Sequence, residues 1–431
     1  MAMMFGLALR SMLSRRLSLL LTVLTLALSV ALFLTIERLR LSARDSFDGT
    51  VSGVDVLVGA RGSDLGLLLY TVFQIGDAAP SIRWSSYQAL AADKRVAWSV
   101  PLSLGDSHRG HRVIATTSAY FDHVRFGKDQ PLRFSTESGE RIEGFGVVLG
   151  AQTARSLGYG LGAPLVVQHG LASAGDDSHA ADPFIVTGIL QPTGTPLDHS
   201  LLVGIRAFEA IHDGWRGSVP GESEALQSAS AGKARLDVDL SGPEFEPSLM
   251  TAAYVGLKSK RRIFQFIEDV EDRAQSEPLS AVLPGITLSQ LWVLVGSAER
   301  ALQLFSVLIV VVALAGQVTL LVATLDLRRR EIAIYRALGA QPRTIAGLLV
   351  VEATLIGATA AIGGLLLTLA GTWLAGQLLG AYLKLDLSAI MLTASQALAL
   401  AAFIGVSILT GLIPAVMAYR SSLQDGMRAR Y

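Results

Sequence analysis

The chain has 431 residues, 51% of them hydrophobic and 17% charged, and its formal net charge is zero. Soluble globular chains carry about 25% charged residues; this deficit, with a mean hydropathy of +0.47, points to a membrane protein. The balanced charge excludes a bulk basic field for nucleic acid, and the lack of cysteine excludes disulfides and thiolate metal sites.

Residues 1–16 carry Arg10, Arg15 and Arg16 among apolar residues and read as a cytoplasmic amphipathic entry helix. Residues 17–36 are the first of four apolar runs, with Ser and Thr as the only polar members. This run exceeds a signal-peptide h-region and ends in Glu37-Arg38-Leu39-Arg40 rather than a small-residue cleavage site. It therefore reads as an uncleaved span. Residues 301–325, 345–380 and 395–418 hold the other three runs. Each has the ~20 apolar residues needed to cross about 30 Å of hydrocarbon, and in lipid a helix pairs its own backbone groups.

Residues 37–300 form the large insert between the first two spans. Residues 37–50 continue the first helix with charged positions, as a stalk would. Strand-like runs follow at Val54–Val58, Val96–Leu102, Arg112–Thr116, Gly146–Leu149, Leu165–Val167, Phe184–Leu190 and Ala252–Leu257. Turn signals separate them, among them Gly105-Asp106 and Gly194-Thr195-Pro196. Helical periods occur at Trp84–Asp93, Ala151–Leu157 and Arg262–Arg273, the last expected to bury Phe264, Phe266 and Ile267. The mixture predicts an α+β domain. Residues 217–247, rich in Gly, Ser and Glu, read as a flexible loop. Leu288–Gln303 reads as a second, amphipathic stalk leading into the second span.

Short loops set orientation. Arg10, Arg15 and Arg16 precede the first span. Arg328, Arg329, Arg330, Arg336 and Arg343 lie in loop 326–344, and Arg420, Arg428 and Arg430 in the tail 419–431. Loop 381–394 carries Lys384 as its only basic residue. The termini and loop 326–344 are therefore expected in the cytoplasm, with the insert on the other side. Arg38, Arg40 and Arg44 run against this pattern, but long loops translocate largely regardless of charge.

Loop 326–344 has good helix formers up to Leu338, then Gly339, then Pro342, which is a helix with a defined stop. Ile334 and Leu338 share one face at i, i+4, and Glu331 and Tyr335 share another. Such a helix can dock in a partner's groove or serve as a positive-inside anchor, and physics leaves both open. The run RRREIAIYRALGA resembles the cytoplasmic motif of FtsX-like and MacB-like ABC-transporter permeases. The N-terminal FGLALRSMLSRRLSLLLTVL, the outer VVLGAQTARSLGYGLGAPLVVQ with PFIVTGILQPTGTPLDHSLLVGI, and the closing GLIPAVMAYRSSLQDGMR resemble the same family.

That resemblance implies a four-span, one-plus-three permease of the mechanotransmission type in the bacterial inner membrane, with a MacB-type periplasmic core domain. It implies a homodimer, a separate ABC ATPase that holds ATP and Mg, and in some members a periplasmic or outer-membrane accessory protein. By motif, Arg329, Arg330, Glu331, Tyr335, Arg336 and Gly339 would form the ATPase contact. The chain has no GxxxxGK[ST] loop, so it is expected to be a non-catalytic subunit without a cofactor. Its expected function is to couple ATP hydrolysis to work on a periplasmic or membrane-derived substrate. The alternative is mechanical signalling to a periplasmic partner without transport. Gly376 and Gly380 form a GxxxG, with Gly363, Gly364 and Gly371 below; close helix approach there serves either a dimer or packing within one subunit.

All seven histidines fall between 108 and 212. His108-Arg109-Gly110-His111 has a ligand-like spacing, and Asp177 and His179 belong to a second cluster with Asp176 and Asp182. Imidazole and carboxylate suit zinc, but no spacing reaches a recognised signature, and polar surface loops explain the same residues. The stretches DVLVGARGSDLGLLLYTVFQIGDA and PLSLGDSHRGHRV resemble a permease subgroup encoded near zinc-responsive genes.

Overall fold

A computed structural model describes residues 16–50, 52–76, 80–135, 142–169, 184–212, 236–272, 277–327, 334, 339–383 and 392–427. The helices are α1 (Arg16–Thr50), α2 (Asp64–Thr71), α3 (Trp84–Ala91), α4 (Ala119–His123), α5 (Ala151–Leu157), α6 (Ile205–His212), α7 (Ile263–Asp272), α8 (Pro284–Leu327), α9 (Pro342–Leu383) and α10 (Ala394–Met427). The chain divides into an outer unit containing Ala43–Val295 and a membrane unit containing Gly296–Gly380 with both ends of the chain.

A mixed sheet organises the outer unit. Its strands are β1 (Val56–Ala60), β2 (Val96–His108), β3 (His111–Thr116), β4 (Gly146–Leu149), β5 (Pro164–Leu165), β6 (Gln168–His169), β7 (Phe184–Ile189), β8 (Ser200–Gly204), β9 (Ala252–Leu257) and β10 (Leu279–Val282). They are ordered β10-β1-β9-β2-β3-β8-β4-β7-β5, and β6 pairs with β2. The pairs β3/β8 and β4/β7 are parallel. Both faces are covered, so the strands are apolar throughout and the two-residue period decides which core each side chain enters. Leu57, Leu102, Ile114, Val148, Leu202 and Tyr254 enter one shared core. Their neighbours on the other face split into two further cores. Val56, Val58 and Val255 pack with Phe266 of α7, whereas Val113, Val147, Leu149 and Leu201 pack with Phe184 and Phe208.

The central strand β2 joins the two halves. Val96–Leu102 pair with β9, and Ser103–His108 pair with β3 across a bulge between Leu104 and Ser107. The expected turn at Gly105-Asp106 is therefore part of the strand. The chain reverses instead at Arg109 and Gly110, whose φ angles of +49° and +83° suit a tight two-residue hairpin. Gly256 of β9 lies opposite Trp98. A Cβ there would sit 2.1 Å from Trp98 Nε1, so the absence of a side chain lets the indole cross the sheet.

Other differences from the sequence reading have local causes. Phe266 is fully buried on α7 with Val270 one turn on, whereas Phe264 is 68% exposed. Two residues is about half a helical turn, so both rings cannot face one core. Residues 236–247, expected to be loose, include buried Leu240 and Phe245. Trp84 Nε1 donates to Glu246 Oε1 at 2.8 Å, and Arg206 donates to the Leu240 carbonyl at 2.9 Å. The remainder of that stretch, up to 235, lies outside the described residues.

Among the described residues, four helices are long and apolar enough to span a bilayer: Arg16–Arg44, Pro284–Leu325, Arg343–Ala375 and Ala394–Ala418. Their shared core combines Leu26, Val30 and Leu34 of α1, Leu314 and Leu321 of α8, Ala353, Ile356 and Ala360 of α9 and Phe403 of α10. Small residues allow close approach, as expected where hydrocarbon surrounds the bundle. A Cβ at Gly364 would lie 2.7 Å from Val30 Cβ and 2.9 Å from the Ala27 carbonyl oxygen. Thr368 Oγ1 of α9 donates to the Ala31 carbonyl of α1 at 3.3 Å. Gly363 and Gly364 thus serve α1–α9 packing within one subunit. Gly376 and Gly380 belong to the part of α9 whose side-chain surroundings lie outside the described residues.

Candidate functional site: coupling connection, stalks and outer clusters

The connection between α8 and α9 is the strongest functional candidate in the sequence. Arg329, Arg330, Glu331, Tyr335 and Arg336 lie outside the described residues. Ile334 is described and is 58% exposed. Gly339 has φ +92°, a conformation that favours glycine and ends helices. A Cβ there would meet nothing within 4 Å, so backbone conformation rather than space accounts for the glycine. Pro342 then opens α9, where its missing N–H is not needed.

Two strongly polar side chains of the spans, Gln317 and Glu352, are buried. Gln317 of α8 is fully buried; its Nε2 lies 3.0 Å from Ser407 Oγ of α10 and 3.3 Å from the Ala353 carbonyl of α9. Ser407 Oγ is also 3.1 Å from that carbonyl. A Cβ on Gly357 would come 2.3 Å from Ser407 Oγ, so this glycine makes room for the hub. Glu352 is buried in α9, 4% exposed. In the sequence Gln317 is the one strongly polar residue of 304–324; neither Ser407 nor Gly357 stands out, because their roles exist only across three helices.

Stalk contacts occur in each unit. In the membrane unit, the Arg40 guanidinium pairs with Glu37 at 2.7 Å on its own helix and with Glu299 of α8 at 3.0 Å. In the outer unit, Phe47 stacks on Phe73 with ring centroids 4.3 Å apart and meets Trp292 of α8 edge-on at 5.8 Å. The Arg44 guanidinium lies over the same indole, 5.4 Å from its centroid.

His108 and His111 close the β2/β3 hairpin as a directly opposed pair. His108 Nδ1 donates to the Val166 carbonyl at 2.6 Å, and Nε2 accepts from the Tyr159 hydroxyl at 3.0 Å. Both nitrogens are thus engaged in the neutral ring, and burial pushes its pKa below the ordinary value. His111 Nδ1 lies 3.1 Å from both Thr153 Oγ1 and the His199 carbonyl, with Nε2 3.3 Å from Ser156 Oγ. The spacing that suggested ligands is here the spacing of a hairpin. Asp177 and His179 lie outside the described residues. Among the described residues, no three His, Asp or Glu side chains gather closely enough to hold a metal ion.

The outer unit also has an open cleft of about 730 Å³ bordered by Trp84, Tyr87, Glu143, Arg206, Asp237 and Asp239. Arg206 is committed to backbone carbonyls. The cleft therefore offers aromatic surface and carboxylates, which suits cationic or amphipathic groups.

Four helices long and apolar enough to span a bilayer, with a mixed α+β domain inserted between the first and second, define a membrane protein with one large domain outside the bundle. Residues 19–271 match the family model of the MacB-like periplasmic core domain, and residues 303–423 match that of the FtsX-like permease C-terminal region. The first match spans more than half of the chain, and the chain belongs to the MacB-like, FtsX-like permease family. Comparison with the curated proteins returns no match. Among solved structures, the periplasmic region of MacB from Actinobacillus actinomycetemcomitans is similar at 10% identity and a TM-score of 0.33, covering 57% of this chain and 96% of that one. The extracellular domain of the noncanonic ABC-type transporter YknZ from Gram-positive bacteria is similar at 11% identity and a TM-score of 0.30, covering 53% of this chain and 98% of that one.

Proposed function

We propose that this chain is the permease subunit that couples ATP hydrolysis by a separate ABC ATPase to conformational work of its periplasmic domain on a periplasmic or membrane-derived substrate. The left-handed Gly339 between a basic helical sequence and Pro342 carries the reading. A glycine in this conformation would end the helix that the sequence predicts before it, so that Arg329, Arg330, Glu331, Tyr335 and Arg336 could be presented to the ATPase. ATP and Mg belong to the partner, and this chain needs no cofactor of its own. The termini and the connection 326–344 face the cytoplasm, as the arginines favour, and two copies form the working unit.

The inward pairing of Gln317 and Ser407 supports work done outside the bilayer. Polar groups that satisfy one another across three helices do not line a path for a polar solute. Closure of the ATPases would reach the outer domain through α1 and α8, where Arg40 and Glu299 link the two stalks.

The test replaces Glu331 and Tyr335 with Ala in the full chain and assays it with its ATPase. The expected result is a folded chain that still inserts but no longer couples ATPase activity to function. Unchanged function in the double variant would remove the coupling assignment. Failure of wild type to retain any ATPase on pull-down would remove the permease reading itself.

A further inference from the structure

A second site stands out at the end of the sheet where α1 delivers the chain to β1 and where β9 runs into α7. A pocket of about 390 Å³ is lined by Arg95, Leu257, Lys258, Ser259, Arg261, Arg262 and Phe266. Four of these seven side chains are cationic and none is acidic. Its walls are fixed. Asp93 grips Arg95 through both oxygens, at 3.0 and 2.9 Å, and Asp269 of α7 holds it at 2.5 Å. The Arg95 guanidinium rests 5.0 Å above the Phe266 ring. Asp55 accepts from Leu257 N at 2.9 Å and pairs with Lys260 at 3.0 Å, which holds the loop between β9 and α7. Lys258 N donates to the Arg95 carbonyl and Lys258 Nζ to the Lys94 carbonyl, each at 2.9 Å.

The carboxylates that build the pocket offset Arg95 and Lys260. Lys258, Arg261 and Arg262 have no carboxylate partner among the described residues and remain positive at its mouth. Phe264, two residues after Arg262 in the chain, is 68% exposed.

We propose that this pocket binds a phosphate group, with Arg261, Arg262 and Lys258 as its charged contacts. Guanidinium forks and an ammonium match phosphate oxygens in charge and geometry. Leu257 and Phe266 give the pocket an apolar floor, and Phe264 offers contact to whatever apolar body carries the phosphate. The ligand class is thus a phosphate-bearing anion, whose source is an anionic lipid headgroup or a soluble phosphate.

The test uses the full chain in phosphatidylcholine nanodiscs, titrated with inorganic phosphate and separately with dihexanoyl phosphatidylglycerol. Wild type should bind saturably. The variant R261Q/R262Q should bind about tenfold or more weakly, as should K258Q, which keeps the fold if the paired arginines are not tolerated. Lys128→Gln removes one exposed charge elsewhere and should leave binding unchanged. A loss in F264S confined to the lipid probe assigns a lipid source; equal behaviour of F264S and wild type assigns soluble phosphate. Absence of saturable binding by either probe, or equal affinity in wild type, R261Q/R262Q and K258Q, overturns the proposal.

Discussion

Gln317 and Ser407 meet inside the helix bundle with the Gln317 amide placed around the Ser407 hydroxyl, Nε2 at 3.0 Å and Oε1 at 3.1 Å. In hydrocarbon such groups must be satisfied from within, and this pair shares the Ala353 carbonyl as a third partner. Replacing Gln317 with Leu leaves Ser407 its backbone acceptor, so the expected loss is about 1 kcal/mol. Gly357→Ala should cost more, because its new methyl would sit 2.3 Å from Ser407 Oγ. Thermal melting of the detergent-solubilised chain checks both, and Gly357→Ala combined with Ser407→Gly should recover part of the loss.

Gly256 and Trp98 make a sharper pair in the outer domain. A Cβ on Gly256 would lie 2.1 Å from Nε1 and 2.2 Å from Cε2 of the indole. Gly256→Ala should destabilise by about 1–3 kcal/mol, as overpacked sites do. Trp98→Ala removes the clashing atoms. The double variant should therefore be more stable than the sum of the two single losses predicts, measured by chemical denaturation.

Arg40 and Glu299 should contribute modestly to stability. Their side chains are 26% and 20% exposed, and Arg40 keeps Glu37 when Glu299 is lost. Glu299→Gln should cost about 0.5 kcal/mol or less at low salt and still less at high salt. If function falls much further than stability, the pair acts in transmission; the comparison is Tm against coupled activity.

His108 makes stability depend on pH. Burial lowers its pKa in the folded chain below the ordinary 6.5, so the unfolded chain takes up the proton first as pH falls. Its contribution is fully present above the unfolded value and is lost as pH falls toward the folded one. Between pH 8 and pH 5 the wild type should lose more Tm than His108→Gln does. Equal slopes would show that the buried ring does not titrate in this range.

Much of this architecture is written in the sequence. The four spans follow from length and apolarity, and the strands at Gly146–Leu149 and Ala252–Leu257 appear within their expected bounds. The misses come from information that is not local. The β2/β3 hairpin turns at Arg109-Gly110 because β2 keeps its partners past Gly105, although Gly105-Asp106 is an equally good turn signal by itself. Strand β10 is four residues between Pro278 and Pro284, too short to show a period. Helix α2 did carry a readable mark: Ser63 Oγ accepts from Gly66 N at 3.1 Å, with Asp64 in the first turn. The basic pocket was illegible because Arg95 and Arg261 meet only once β2 and β9 pair. The histidine spacing is ambiguous for a related reason: two histidines with two residues between them look the same in sequence whether a metal or a hairpin requires them.

The 13-residue strand β2 has a mechanical consequence. Its first half is bonded to β9 and its second half to β3, so one backbone runs through both halves of the sheet. Load applied along its axis is shared as shear by many backbone hydrogen bonds at once, rather than opening them one after another from an end. The bulge at Leu104–Ser107 lies within the half bonded to β3, where β6 also pairs with Asp106 and Ser107.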